Sequence, residues 1–204
     1  MAYIKNTAFE VKVSNHEFDS IANITGKFRT DGEADVCSAG FLCVRDELMP
    51  NEGYEAFGIM NTNSWFMAMA EAPTSAVEPI YACNPFDVNM ISDGATGAVY
   101  KVGSNTLGLA APADYPTTYT QILFNNVNVY RFGVGNLSAE LGENTFFTIA
   151  NGQLVPAAAA PSAAGAPYFQ LVRAGSFTQG AYNGFGFVDV RACVAVGTSA
   201  PAGE

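Results

Sequence analysis

The chain has 204 residues, 49% of them hydrophobic and 14% charged, with 19 acidic and 9 basic side chains and a formal net charge of −10. That length favours one large domain, and so little charge beside 15 Phe and 9 Tyr excludes intrinsic disorder. A negative surface repels phosphate, so neither nucleic-acid binding nor attachment to an anionic membrane is expected.

Helical periodicity hardly appears, whereas short alternating or apolar runs bounded by Gly, Asn, Asp and Pro recur along the chain. Strands are expected at 9–13, 24–29, 40–45, 55–59, 64–69, 80–82 and 98–102. Further strands follow at 120–124, 127–132, 145–150, 168–174 and 184–196. The segment SWFMAMAEA at 64–72 has helix-favouring Ala and Met, but Asn-rich and Pro-rich flanks and alternating large residues favour a strand. Asp31-Gly32, Asp93-Gly94, Asn151-Gly152 and Asn183-Gly184 are pairs that tolerate positive φ in tight reversals. The decapeptides at 41–50 and 147–156 share an apolar run, a polar reversal and a Leu-apolar-Pro ending, as two similar hairpins would. PAAAAPSAAGAP at 156–167 carries three prolines, which fix φ and remove donors, so an extended loop is expected there. Residues 197–204 read as a frayed tail. The fold class is therefore all-β, an antiparallel sandwich or barrel-like body, and one body or two subdomains both fit.

Few groups could do chemistry. His16 is the single histidine and lies in a polar stretch, so no His-based triad is in view. Cys37, Cys43, Cys83 and Cys193 lack CxxC spacing, which argues against redox and zinc motifs. The first residues lack the apolar core of a signal peptide, and no run of about 20 apolar residues could span a membrane. Synthesis in a cytoplasm with reduced, buried thiols is expected. Gly133 opens GVGNLS, but Leu137 stands where a dinucleotide fingerprint has its third glycine. No Walker loop or GxSxG elbow is present. No catalytic, cofactor-binding or metal-binding residue is assigned.

Two features keep other functions open. Asp31, Glu33 and Asp35 alternate, which on a strand would put three acids on one face and suit a carboxylate-pair hydrolase, although a solvated turn explains them as well. Tyr115, Tyr119, Phe124, Tyr130 and Phe132, with Tyr182, Phe185 and Phe187, could form an aromatic platform for a carbohydrate- or receptor-binding module of a phage fibre or adhesin. Aromatics at alternate strand positions ordinarily face a core.

Residues 143–176, ENTFFTIANGQLVPAAAAPSAAGAPYFQLVRAGS, resemble the capsid decoration (cement) proteins of tailed bacteriophages, in the style of the lambda head decoration protein. The likeness runs through an acidic approach (Gly142-Glu143), a strand, the Asn151-Gly152 turn, Leu154-Val155-Pro156, and an Ala-rich stretch returning to a strand. It covers about a sixth of the chain, and residues 1–140 lie outside it. It implies a non-enzymatic virion protein, made in the bacterial host cytoplasm, that binds the outside of a phage head and stabilises it. Its partners would be the major capsid protein and copies of itself, a trimer being one such assembly, with no direct contact to nucleic acid. Such binding uses extended segments beside an ordered body. The segments expected are an amino-terminal arm at 1–9, with Tyr3, Ile4 and Phe9, and the loop carrying Pro156, Pro161 and Pro167. That leaves 10–196 as the β-rich body.

Overall fold

A computed structural model of the chain describes residues 6–13, 23–49, 64–73, 75–85, 90–92, 99–101, 110–177 and 184–197. Its strands are β1 (Phe9–Val13), β2 (Asn23–Thr30), β3 (Glu33–Ala34), β4 (Cys37–Ser38), β5 (Leu42–Leu48), β6 (Ser64–Met69), β7 (Ile80–Asn84) and β8 (Met90–Ser92). They continue as β9 (Val99–Lys101), β10 (Ala110–Ala111), β11 (Thr117–Ile122), β12 (Val129–Gly133), β13 (Phe146–Ala150), β14 (Gln153–Ala157), β15 (Pro167–Ser176) and β16 (Gly186–Val194). A 3-10 turn, Val134–Asn136, follows β12.

Two six-stranded sheets form a sandwich-like body, as the alternating runs predict. The first has the order β1-β12-β16-β15-β13-β14 and the second β11-β7-β5-β6-β2-β3. Among the described strands the pairings are antiparallel except that of β2 with β6. In the second sheet β11 also pairs with β2, through Thr117↔Gly26 to Thr120↔Asn23, which closes five of its strands into a small barrel.

The pleat sends successive side chains to opposite faces, so a strand between two cores must be apolar on both. On β7, Ile80 and Ala82 enter the core between the sheets, while Tyr81 and Cys83 enter the barrel. On and beside β5, Leu42 faces the sheets' shared core, and Phe41 and Cys43 face the barrel. The first sheet supplies the opposite wall with Phe9, Tyr130, Phe132, Phe147, Ile149, Leu154, Phe169, Val188 and Val190. Each such side chain contributes about 1.5–3 kcal/mol on leaving water, so these rows dominate the packing.

The hairpin β13–β14 links the two bodies. Asn151 (φ 49°) and Gly152 (φ 69°) make the tight turn their sequence predicts. The turn is held down because Leu42 N–H donates to the Gly152 carbonyl (2.8 Å) and Gly152 N–H donates to Ala70 O (2.9 Å). The Phe41 ring occupies the space a Cβ at Gly152 would need. A second link is Asn136, buried in the 3-10 turn. Its side-chain oxygen accepts from Ala8 N–H (3.0 Å) and Gly133 N–H (3.1 Å), and its amide donates to Ala39 O (2.8 Å). Ala8 N–H and the Ala39 carbonyl thereby gain a buried partner, and Gly133 N–H adds this bond to the one it gives Ala8 O (3.2 Å).

Several boundaries differ from expectation. Residues 153–157 form β14, where only a return segment was foreseen, and Pro156-Ala157 and Pro167 belong to strands, so the Ala/Pro loop shortens to 158–166. Residues 42–48 run as one strand rather than a hairpin, so the decapeptides at 41–50 and 147–156 are not built alike. Asp31 (φ 52°) and Gly32 (φ 81°) do turn β2 into β3. The expected strand 55–59, the Asp93-Gly94 turn and Asn183 lie outside the described residues.

Gly152→Ala adds a positive-φ penalty to a collision with the Phe41 ring. It should cost roughly 3 kcal/mol in urea unfolding, against about 1 kcal/mol for Asn151→Ala, which meets only the first penalty. Equal costs at the two positions would show that the ring contact does not anchor the turn.

Candidate interaction surface

The residues expected to form an interface fall in different settings. Tyr3 and Ile4 lie outside the described residues, as does His16. Phe9 is not in an arm: it is buried on β1 against Tyr130 and Phe132, with Thr7 and Ala8 buried beside it. The body therefore begins at least as early as residue 6. Pro167 is buried at the start of β15.

Pro156 has a different meaning from the one its loop setting suggested. β14 is an edge strand of its sheet: β13 is its strand partner, and on the outer side Leu154 makes an isolated parallel bridge to Leu137. Counting from the two-residue turn, Ala150↔Gln153 closes the hairpin, and Phe147↔Pro156 falls in a pair whose backbone groups point away from the partner strand. Pro156 thus puts no N–H on the open edge, and Ser138 N–H already occupies Leu154 O (2.9 Å). A proline so placed discourages strand addition rather than offering it.

Pro161 lies in the shortened loop, and the loop is sewn to its surroundings. Ala76 N–H donates to Gly165 O (3.0 Å), Gly165 N–H to Ala195 O (2.9 Å) and Ala195 N–H to Ala166 O (2.9 Å). A Cβ at Gly197 would meet Ala164, so the segment after β16 runs alongside. These contacts gather Val77 (89% exposed) and Val196 (91% exposed) beside the exposed Ala163 and Ala164. Val127 joins the same end, because Asn126 N–H donates to Ala192 O (2.9 Å) and Val194 N–H to the Asn126 side chain (3.3 Å). Residues 156–167 carry no charge on a chain of net −10. These exposed apolar groups are held near one another by backbone hydrogen bonds. Sequence pattern pointed to the loop; Val77 and Val196 came from distant segments and carried no local signal.

The other candidates dissolve into structure. Tyr119, Tyr130 and Phe132 are wholly buried, Phe187 is buried and Phe124 packs on Phe169, so Tyr115 (51% exposed) is alone among the described tyrosines proposed for a platform. Tyr182 lies outside the described residues. Asp31 sits in the turn rather than on a strand, Glu33 is on the two-residue β3, and Asp35 accepts a hydrogen bond from Val36 N–H (2.7 Å), so the three do not share a strand face. Among the described residues no group of three or more His, Cys, Asp or Glu is arranged to hold a metal ion.

The outer face of the first sheet carries a cross-strand charge row, Glu10↔Arg131↔Asp189↔Arg173. Asp189 takes both nitrogens of a bidentate Arg131 (2.7 and 2.9 Å) and Arg173 Nε (2.7 Å). The Arg131 guanidinium lies 3.7 Å over the Phe187 ring, which packs on Phe177. Burial pushes the Asp189 carboxyl up, but hydrogen bonds and charge from the two arginines outweigh it and hold the group below the usual Asp value. The row satisfies itself and leaves no free charge for a ligand. No protein-family model, curated protein or solved structure matches the chain.

A carboxylate depressed on folding stabilises the protein above its unfolded pKa of about 3.9, and that share is lost as pH falls through the lower folded value. Asp189→Asn should cost about 2 kcal/mol at pH 7. The gap to the unaltered protein should narrow below pH 4 in urea titrations. A gap independent of pH would show that the charge at Asp189 is not what stabilises the row.

Proposed function

We propose that the chain is a non-enzymatic structural protein of a tailed-phage particle that decorates the outer surface of the capsid and stabilises it. It does so by contacting the major capsid protein and neighbouring copies of itself. The single observation that carries this reading is the ordered apolar end built from the uncharged loop 158–166, Val77 and Val196. That loop lies in the segment resembling cement proteins. Packing on Phe41 accounts for Gly152 of the same segment, but no packing need accounts for small apolar residues exposed at 163–164.

A decorating protein meets a lattice of identical sites, where many weak contacts add up. A modest apolar face on a rigid β body suits that arrangement, because little ordering entropy is lost on docking. Tyr3 and Ile4, ahead of the buried Thr7–Phe9 segment, are the second proposed contact; truncation for this purpose must stop at residue 5, since removing Thr7, Ala8 and Phe9 would strip the core.

Quantitative mass spectrometry of density-purified particles from the source culture should find copies comparable with the main shell protein. Val77→Asp with Val196→Asp should weaken co-sedimentation with undecorated shells about tenfold or more, leaving the melting midpoint unchanged. Absence from particles would end the virion reading. Undiminished binding by the double variant would remove this end as the contact.

A further inference from the structure

The barrel interior holds thiols that pack in its core and whose nucleophilic chemistry neither that packing nor the proposed surface uses. Cys37, Cys43 and Cys83 are free and wholly buried, and pack with Tyr119 in one cluster. Their strands bring them together. Cys83 N–H donates to Phe41 O (2.9 Å) and its carbonyl accepts from Gly40 N–H (2.8 Å), placing it against the turn that joins β4 to β5. Its Sγ lies 3.5 Å from the Cys37 carbonyl oxygen. Cys43 follows on the same face of β5, with its Sγ 3.7 Å from Phe41 O. The Tyr119 hydroxyl is buried in the same cluster.

The three thiols are not equivalent. Burial raises Cys43 and Cys83 well above the ordinary thiol value, and the neighbouring Cys37 raises them further. Burial also opposes ionisation of Cys37, but interactions with the Cys43, Cys83 and Tyr119 side chains outweigh it and bring that thiol down to about 5. One acidic thiol beside protonated ones is a starting point for thiol–disulfide exchange. Cys37 is also on a short strand: β4 and β10 are two residues each, paired among the described residues as Ala110↔Ser38 and Ala111↔Cys37. Local opening of so short a pair exposes Cys37 without unfolding either large sheet.

We propose that Cys37 and Cys83 are a latent disulfide, closed by exchange with a small-molecule disulfide while Cys43 stays reduced. The Cys37 thiolate attacks one sulfur of the reagent, whose S–S bond breaks and whose departing thiolate takes up the proton Cys37 gave off. Cys83 then loses its proton and attacks the Cys37 sulfur of the mixed disulfide, expelling the second reagent thiol, which carries that proton away. Two protein thiols are oxidised, and one reagent disulfide is reduced to two thiols. The link would tie β4 to β7 across the barrel, whereas a Cys37–Cys43 link would close only the turn between consecutive strands.

The test uses the unaltered protein incubated with oxidised glutathione, followed by intact-mass measurement, alkylation after unfolding, and peptide mapping without reductant. The expected result is loss of two hydrogens, a Cys37–Cys83 cross-linked peptide, alkylated Cys43 and Cys193, and a melting midpoint raised by about 5 °C. Cys193→Ala, altered on β16 of the other sheet, should behave identically. Four alkylatable thiols, a lasting glutathione adduct or a Cys37–Cys43 peptide would each overturn the proposal.

Discussion

Strands β5 and β7 have a core on each side, and that constraint organises the molecule. Leu42↔Ala82 and Cys43↔Tyr81 are neighbouring pairs on one ladder, yet the first fills the space between the sheets and the second fills the barrel. A one-residue slip in this register would exchange the two sets, pushing Tyr81 into the flat inter-sheet layer and leaving Ala82 to fill the barrel. The pairing is therefore fixed from both sides at once. The smaller side chains Ala70 and Ala82 face the aromatic first sheet, while Phe28, Phe41 and Tyr119 fill the barrel.

The links between the two bodies follow from this shared wall. The Asn151-Gly152 turn reaches across the sheets to Leu42 and Ala70, and Asn136 joins the segment before β1 to the turn before β5. Both links rest on hydrogen bonds, the first with the Phe41 ring packed on Gly152 as well. Both satisfy backbone groups that the apolar layers would otherwise strand without partners, so the polar contacts fix how the sheets sit while burial supplies the stabilisation.

Much of this was legible in the chain, for identifiable reasons. Period-2 alternation gave β1 and β6 their bounds, and the Asp31-Gly32 and Asn151-Gly152 pairs gave two turns, because both signals are local. β14 was missed because its Pro156 reads as a strand breaker, and only the edge position makes it admissible. An apolar residue such as Phe9 gives no local sign of what covers it, which is why the expected arm at 1–9 includes it. Barrel closure through β11 and β2 pairs segments far apart in sequence, and no local pattern records that. For the same reason the loop was visible as an uncharged stretch, while Val77 and Val196, brought to it by backbone hydrogen bonds at Ala76 and Ala195, were not.

The distribution of charge bears on how such a surface would work. The buried charges of the first sheet, Arg131 and Asp189, are spent on each other, on Arg173 and on the Phe187 ring, so they offer no long-range attraction to a partner. The net charge of −10 resides elsewhere and opposes the close approach of like copies through any charged face. The uncharged loop 158–166 adds nothing to that repulsion and offers apolar area that can be removed from water. Contact there draws on desolvation of Val, Ala and Pro side chains, a non-directional force that depends on shape. The hydrogen bonds of Gly165 to Ala195 and Ala76 supply the shape by holding three chain segments at fixed spacing before any partner arrives.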